Sequence, residues 1–185
     1  MAKNKLDDSA LMSRLSDGDM SALGELVCRH QDRVLEIAFR TLGKWDLAED
    51  VAQETFLRVY RAARKYKPKA KFTTWLYRIV VNLCLDEKRR RARNGTSLEE
   101  VTLETQTEPD SDYAEKKEIA QIVKAAVDEL PERQRIALVL HRYKGLSHGQ
   151  IAEATGWSGP AVESLLVRAY ANLRKKLDKI KYFAE

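Results

Sequence analysis

The segment 46–93, DLAEDVAQETFLRVYRAARKYKPKAKFTTWLYRIVVNLCLDEKRRRAR, constrains the fold of this chain more than any other stretch. It runs from an acidic helix start, through an aromatic-rich helix, to the five cations Lys88, Arg89, Arg90, Arg91 and Arg93. Apolar residues recur in it three and four apart and nowhere alternate convincingly, which is the period of a helix and not of a strand. The same period holds along the rest of the chain, so an all-α fold is expected.

The punctuation divides that pattern into elements. Ser21–Leu42 reads as one helix with Leu23, Leu26, Val27, Val34, Leu35, Ala38, Phe39 and Leu42 inward, ended by a left-handed cap at Gly43. Asp46 and Glu49 form a D-x-x-E arrangement resembling a capping box, which would open a helix towards Arg64. Lys65–Lys71 reads as a basic loop broken by Pro68. Thr73 or Thr74 can cap the next helix, which carries Trp75, Leu76, Ile79, Val80 and Leu83 before its basic end.

Residues 94–112 hold six acids (Glu99, Glu100, Glu104, Glu108, Asp110, Asp112) and no base, with Gly95 and Pro109 among them. They read as a flexible acidic linker. Beyond it, Ile119, Ile122, Val123, Ala126, Val127 and Leu130 make an amphipathic stripe. Pro131 suits the first turn of a further helix that Gly145 ends. Two small helical domains are therefore expected, over 9–93 and 113–181.

The charge is unevenly spread. Lys and Arg total 33 against 28 acids, a net +5. With the linker's six acids set aside, 22 acids face 33 cations, leaving +11 on the two domains. Two cationic modules meeting a polyanion fit that distribution, as do ordinary solvated helix faces.

Several function classes have no support. No apolar run approaches the ~18 residues of a membrane span. The start MAKNKLDDSA lacks the apolar stretch of a secretory signal, so a cytoplasmic chain without membrane insertion is expected. Cys28 and Cys84 lack zinc-site spacing and read as buried reduced thiols. His30, His141 and His148 fall in no ligand pattern, and no carboxylate accompanies a nucleophile in a recognisable arrangement. No catalytic residue, metal site or cofactor is predicted, and no enzyme.

The string LSHGQIAEATGWSGPAVESLLVRAYANLRKKL carries the punctuation of a helix-turn-helix. Ser147 can cap a short helix with Gln150 as its reciprocal partner. Ile151, Ala152 and Ala154 allow close packing, and Gly156 suits a positive φ in the turn. Gly159 and Pro160 open a long second helix, with Val162, Leu165, Leu166 and Ala169 inward. Ala161, Glu163, Ser164, Val167 and Arg168 are left outward. A recognition helix places such residues at base edges in the major groove. Arg168 suits a guanine or a phosphate, Ser164 permits close approach, and Glu163 could accept from a cytosine amino group while repelling phosphates. Arg174, Lys175, Lys176, Lys179 and Lys181 extend the cationic surface. A helical hairpin with a charged face would look similar.

Taken together the motifs resemble the extracytoplasmic-function (ECF) sigma factors, the small promoter-specificity subunits of bacterial RNA polymerase. The run Asp46-Leu-Ala-Glu-Asp-Val-Ala-Gln-Glu-Thr-Phe is similar to the D-x-A-E-D-x-x-Q-E-x-F of region 2. Phe72-Thr-Thr-Trp-Leu-Tyr-Arg-Ile followed by Asn82 resembles that region's F-x-T-W-L-x-R-I…N. Leu130-Pro-Glu-Arg-Gln-Arg, then Gly145-Leu-Ser and Ile151-Ala, resembles region 4. The likeness spans about residues 9–178, with both motif sets in order.

That resemblance implies roles. Residues 9–93 would be the region 2 domain, docking on polymerase and reading and melting the minus-10 element, and 113–181 the region 4 domain, reading the minus-35 element. Asp46, Glu49, Asp50, Gln53, Glu54, Phe56 and Leu57 would meet the polymerase clamp's coiled coil. Strand opening needs cations for phosphates and aromatic surface for unstacked bases. Lys69, Lys71, Phe72, Thr74, Trp75, Tyr77, Asn82, Lys88, Arg89 and Arg90 would supply them at the minus-10 element, although Trp75 also fits a core position. Gly159, Glu163, Ser164, Val167, Arg168, Arg174 and Lys175 would meet the minus-35 duplex. Core RNA polymerase, promoter DNA as duplex and as melted strand, and an anti-sigma factor are the implied partners.

Two positions depart from the family's habit. Its members often carry Lys or Arg where this chain has Glu163, and Arg where it has Leu165, which puts the usual minus-35 preference in doubt. The linker's carboxylates could mimic a nucleic-acid backbone in the polymerase channel or serve solubility alone. A stand-alone helix-turn-helix regulator is the alternative function. It would explain 113–181 but not the acidic and aromatic helices before it.

Overall fold

The computed structural model describes residues 7–67, 71–94 and 111–181, with side chains from 119 to 178 in the last of these spans. Every regular element among them is helical. The chain falls into two compact units, one carrying the first four α-helices and the other the last four, less the end of the third of those.

The first unit opens with α1 (Asp8–Ser16), which the hydrophobic pattern of the longer segments does not reveal. Asp7 caps it, accepting from the Ala10 N–H at 2.7 Å, a bond worth about 1 kcal/mol. Leu11, Met12 and Leu15 are buried beneath it, each contributing roughly 1.5–3 kcal/mol of transfer energy. The next helix, α2, spans Met20–Leu42 and is capped by Asp19; Gly43 closes it at φ 77°, the left-handed cap expected. Its buried face is Ala22, Leu26, His30, Val34, Ile37, Ala38 and Leu42, while Leu23, Val27, Leu35 and Phe39 are half-buried along the stripe's edge.

Two expected caps are not formed. The third helix, α3 (Trp45–Ala62), begins before Asp46 with Lys44 at the cap and no side-chain bond; Glu49 instead accepts from Trp45 Nε1 at 2.8 Å. The fourth, α4 (Phe72–Arg93), starts at Phe72 behind Lys71, so Thr73 and Thr74 lie inside its first turn. Both helices are held by packing rather than by polar caps: α2 packs on α3 and α4, α3 on α4, and α1 on α2 and on the 3-10 turn Ala63–Lys65. Asn94 is the turn that closes α4. Of the expected linker, 95–110 lies outside the described residues, and Ser111 and Asp112 are already helical.

Cysteine placement corrects one expectation. Cys84 is fully buried on α4, but Cys28 is exposed, because it sits about 200° around α2 from Leu26. A maleimide reagent should therefore label one thiol in the native protein and two in urea, with Cys28 the first by peptide mass mapping. Equal native labelling of both would contradict the burial of Cys84.

The second unit contains α5 (Ser111–Asp128), α6 (Glu132–Leu138), α7 (His148–Thr155) and α8 (Gly159–Lys181). Along the α5 stripe Ala126 and Val127 are buried, with Leu130 just beyond the helix, while Ile119 is 53% exposed and lies beyond the core. Pro131 caps α6, which passes directly into a π-helical turn, Val139–Tyr143, that the 3.6-residue period does not reveal. Gln134–Leu140 are all buried, so this is a helix covered all round rather than on one stripe. Gly145, at φ 65°, ends it, and the Leu146 N–H reaches back to the Leu140 carbonyl at 3.2 Å. Arg135 is buried among these residues; its guanidinium donates to the Leu130 carbonyl and faces Asp128 at 3.7 Å. Burial pushes its proton affinity down, and Asp128 and Glu132 pull it back.

Candidate functional site

Three surfaces gather the residues singled out by sequence. On α3 the positions 46, 49, 50, 53, 57 and 60 follow helical spacing, and all six are exposed. Asp46, Glu49, Asp50 and Gln53 supply carboxylates and an amide. Glu54, at the margin, is tied to Arg58 at 2.9 Å. Leu57 and Tyr60 are 41% and 46% exposed beside them, and Trp45 is 47% exposed against Phe39. Phe56, expected on this face, is buried in the core instead, since it lies a full 100° from Leu57 around the helix. Trp45 and Tyr60 were not anticipated. The signal was present in their spacing from Glu49 and Leu57.

On α4, Lys71, Trp75, Arg78, Asn82, Arg89 and Arg93 fall within about 40° of one line along the helix. Trp75 is half-buried and the other five are exposed. The result is a cationic stripe with one accessible indole and one amide. Arg78 was missed, although it sits three residues from Trp75 and four from Asn82. Phe72, Thr74 and Tyr77 were expected to face bases, and all three are buried. The reason is that α4 packs against both α2 and α3, so its buried arc is wider than one stripe. Tyr77 accepts a hydrogen bond from Arg33; burial raises its phenol's pKa and Arg33 opposes the rise.

The basic end of α4 is partly self-neutralised. Arg90 donates twice to Glu87, at 2.8 and 2.9 Å, and Arg89 lies 3.3 Å from Asp86. Glu87 chiefly, with Asp50 on α3 adding its field, raises Arg90 above its ordinary range. Lys88 is half-buried. Lys69 lies outside the described residues, while Lys65, Lys67 and Lys71 are exposed to either side of that gap.

The third surface is the outer face of α8. The capping of α7 is the expected one: the Ser147 N–H donates to Gln150 Oε1 at 2.9 Å and the Gln150 N–H to Ser147 Oγ at 3.3 Å. Gly156 takes φ 74° in the turn, as the motif requires. Ser158, not anticipated as a cap, accepts from the Ala161 N–H at 3.4 Å and satisfies one of the donors that open α8. Val162, Leu166 and Ala169 are buried and Leu165 is half-buried. Gly159, Glu163, Ser164, Val167, Arg168, Arg174 and Lys175 are all exposed, Val167 at 64%. Arg174 faces Asp178 at 3.7 Å, and Asn172 Nδ2 donates to the buried Gln134 at 2.8 Å, fixing α8 on α6. Lys179 and Lys181 lie outside the described side chains.

Among the described residues no group of three His, Cys, Asp or Glu converges, and no helix is long and apolar enough to cross a membrane.

Two helical units with these surfaces match known proteins over most of their length. Residues 26–94 match the model of sigma-70 region 2, and residues 118–173 that of sigma-70 region 4. Both units thus fall in the sigma-70 class. The ECF RNA polymerase sigma-E factor of Haemophilus influenzae is 31% identical over 192 residues, covering 95% of this chain and 98% of that one. The ECF RNA polymerase sigma factor SigE of Mycolicibacterium smegmatis is 38% identical over 169 residues, 88% of this chain, which spans 65% of that protein's length. The solved structure of CnrH in complex with the cytosolic domain of CnrY has a TM-score of 0.68 at 29% identity, covering 93% of this chain and 97% of that one. The sigma factor RpoE of Bartonella quintana, solved with the anti-sigma factor NepR, shares the fold with a TM-score of 0.69 at 22% identity, over 84% of this chain and 96% of that one. The chain belongs to the ECF family of RNA polymerase sigma factors.

Proposed function

We propose that this chain is a promoter-specificity subunit that binds core RNA polymerase through the α3 face and promoter DNA through the other two surfaces. The observation that carries this reading is the α4 stripe. An accessible indole and an amide among aligned cations are what unpaired bases and their phosphates require. A stand-alone regulator would use α8 and leave α3 and α4 without a purpose. In this reading α8 holds the minus-35 duplex, Trp75 and Asn82 engage the melted minus-10 strand, and Lys71, Arg78 and Arg89 hold its backbone. The linker joins the two functions in one chain, which would act in the cytoplasm and catalyse nothing itself. An anti-sigma partner fits the same reading, since the Bartonella relative is bound to one.

Run-off transcription with core polymerase on a genomic promoter library tests it: transcripts from a defined promoter set are expected. A chain that neither copurifies with core polymerase nor directs transcription would leave only the regulator.

Arg168 separates two ways of holding the duplex. Arg168→Ala is expected to lower closed-promoter affinity. A base-edge contact would cost about 1–3 kcal/mol and relax preference at one position. A phosphate contact would weaken all sequences alike and shrink the salt slope by about one unit. Unchanged affinity in a salt titration would remove Arg168 from the interface.

A further inference from the structure

Among the titratable groups buried in the first unit, His30 is one that none of the three surfaces uses. It is 4% exposed on α2. Its Nε2 lies 3.0 Å from Asp8 Oδ2 on α1, and Arg29 Nη1 donates to Asp8 Oδ1 at 3.2 Å. The other ring nitrogen, Nδ1, is buried with no hydrogen-bond partner among the described residues. That asymmetry assigns the tautomer: Nε2–H donates to Asp8, and Nδ1 keeps a lone pair in apolar surroundings. A second proton on Nδ1 would bury a charged N–H that has no acceptor.

On its other side the imidazole packs against Phe72, with ring centroids 5.3 Å apart. Phe72 meets Trp75 at 5.7 Å and Tyr66 at 6.2 Å, and Tyr66 meets Trp75 at 4.9 Å. Tyr66 also closes the 3-10 turn on which α1 rests. One line of contacts, Asp8 to His30 to Phe72 to Trp75, therefore links α1 to the indole of the α4 stripe. Phe72 is core and Trp75 is the accessible member, so the position of the second depends on what backs the first.

The geometry points to Asp8 and His30 as positioning residues for strand opening, holding Tyr66, Phe72 and Trp75 as one aromatic unit at the head of α4. This rests on the function proposed for the α4 stripe. Binding of the upstream duplex by α8 does not involve these residues and should not need them. Opening should also weaken in acid. The charged and titratable groups around the ring are Asp8 on α1, with Asp7 beside it, Arg29 and Arg33 on α2, and Tyr66 at the 3-10 turn; α4 presents the apolar Phe72. Burial holds the imidazole below the usual histidine range, Asp8 pulls it upward, and Arg33 and Arg29 lower it further. Below about pH 6.5 an undocked histidine takes up a proton that the docked ring resists, so acid favours release of the contact; above that pH both forms are neutral and the effect is absent.

The test uses the full-length chain with core polymerase on a duplex promoter, reading opening by permanganate reactivity and closed binding by gel shift. At about pH 7.5, His30→Ala should reduce opening about tenfold, as expected for a lost buried partner, with closed binding within about twofold of wild type. His30→Gln can still donate to Asp8 but does not titrate. It should recover most of the opening at that pH and abolish the fall that wild type shows towards about pH 6. Wild-type opening by His30→Ala, or a wild-type pH profile in His30→Gln, would overturn the proposal. Should His30→Ala fail to fold, Asp8→Ala decides, because alanine leaves the Nε2–H no acceptor and the position lies at the solvent edge: a comparable loss of opening supports the pair and none overturns it. A wild-type chain that opens no promoter overturns the proposed function, and this proposal with it.

Discussion

Replacing Tyr77 by alanine should destabilise the first unit by about 3–5 kcal/mol, the range for truncating a buried aromatic side chain. Tyr77 is 5% exposed, and its loss would also leave Arg33 without the hydroxyl it donates to. A urea titration of the full chain in a Trp157→Phe background would report this unit, because Trp45 and Trp75 both lie in it. The expected result is a large fall in midpoint at nearly constant slope. Asn82→Ala makes the contrast. That side chain is exposed on the α4 stripe, so stability should move by no more than about 0.5 kcal/mol while promoter opening fails. A Tyr77→Ala protein as stable as wild type but unable to open promoters would return Tyr77 to the base-reading surface.

Reversing the charge at Asp50 is expected to weaken core-polymerase binding roughly a hundredfold. Asp50 lies in the middle of the exposed carboxylate face of α3, where a cation would meet the basic partner proposed for it. Juxtaposed like charges at an interface cost several kcal/mol, and each 1.4 kcal/mol is about tenfold in affinity. The substitution also places a second cation near Arg90, whose guanidinium now feels the Asp50 carboxylate. Asp32→Arg, an equal charge change at an exposed site on α2, controls for net charge and should bind core polymerase normally. Helicity by circular dichroism should be unchanged in both. Normal core affinity for Asp50→Arg would assign the acidic face to another partner.

Much of the architecture is legible in the residues themselves because it is decided locally. The stops at Gly43, Gly145 and Gly156 follow from a left-handed backbone that only glycine adopts without strain. The reciprocal bonds of Ser147 and Gln150 need only four consecutive residues. The exposed face of α8 follows from helical period alone, since one stripe, Val162, Leu166 and Ala169, anchors it. At Asp46 and Thr73 the local capping signal does not decide the start: α3 and α4 open behind Lys44 and Lys71 with no side-chain cap bond, and packing sets where they begin.

What the tertiary structure alone decided is which side of each helix a second neighbour covers. A helix in contact with one partner buries a stripe, and its period announces that stripe. Packed by α2 and α3 together, α4 buries a broader arc, so Phe72, Thr74 and Tyr77 go to the core while Trp75 keeps an accessible edge. Phe56 turned inward on α3 for the same reason, and α6, covered on all sides, hides Arg135 and Gln134 with its apolar residues. The Asp8–His30 contact joins residues 22 apart on two helices. No local pattern encodes such a pair, because it exists only once α1 has been laid against α2.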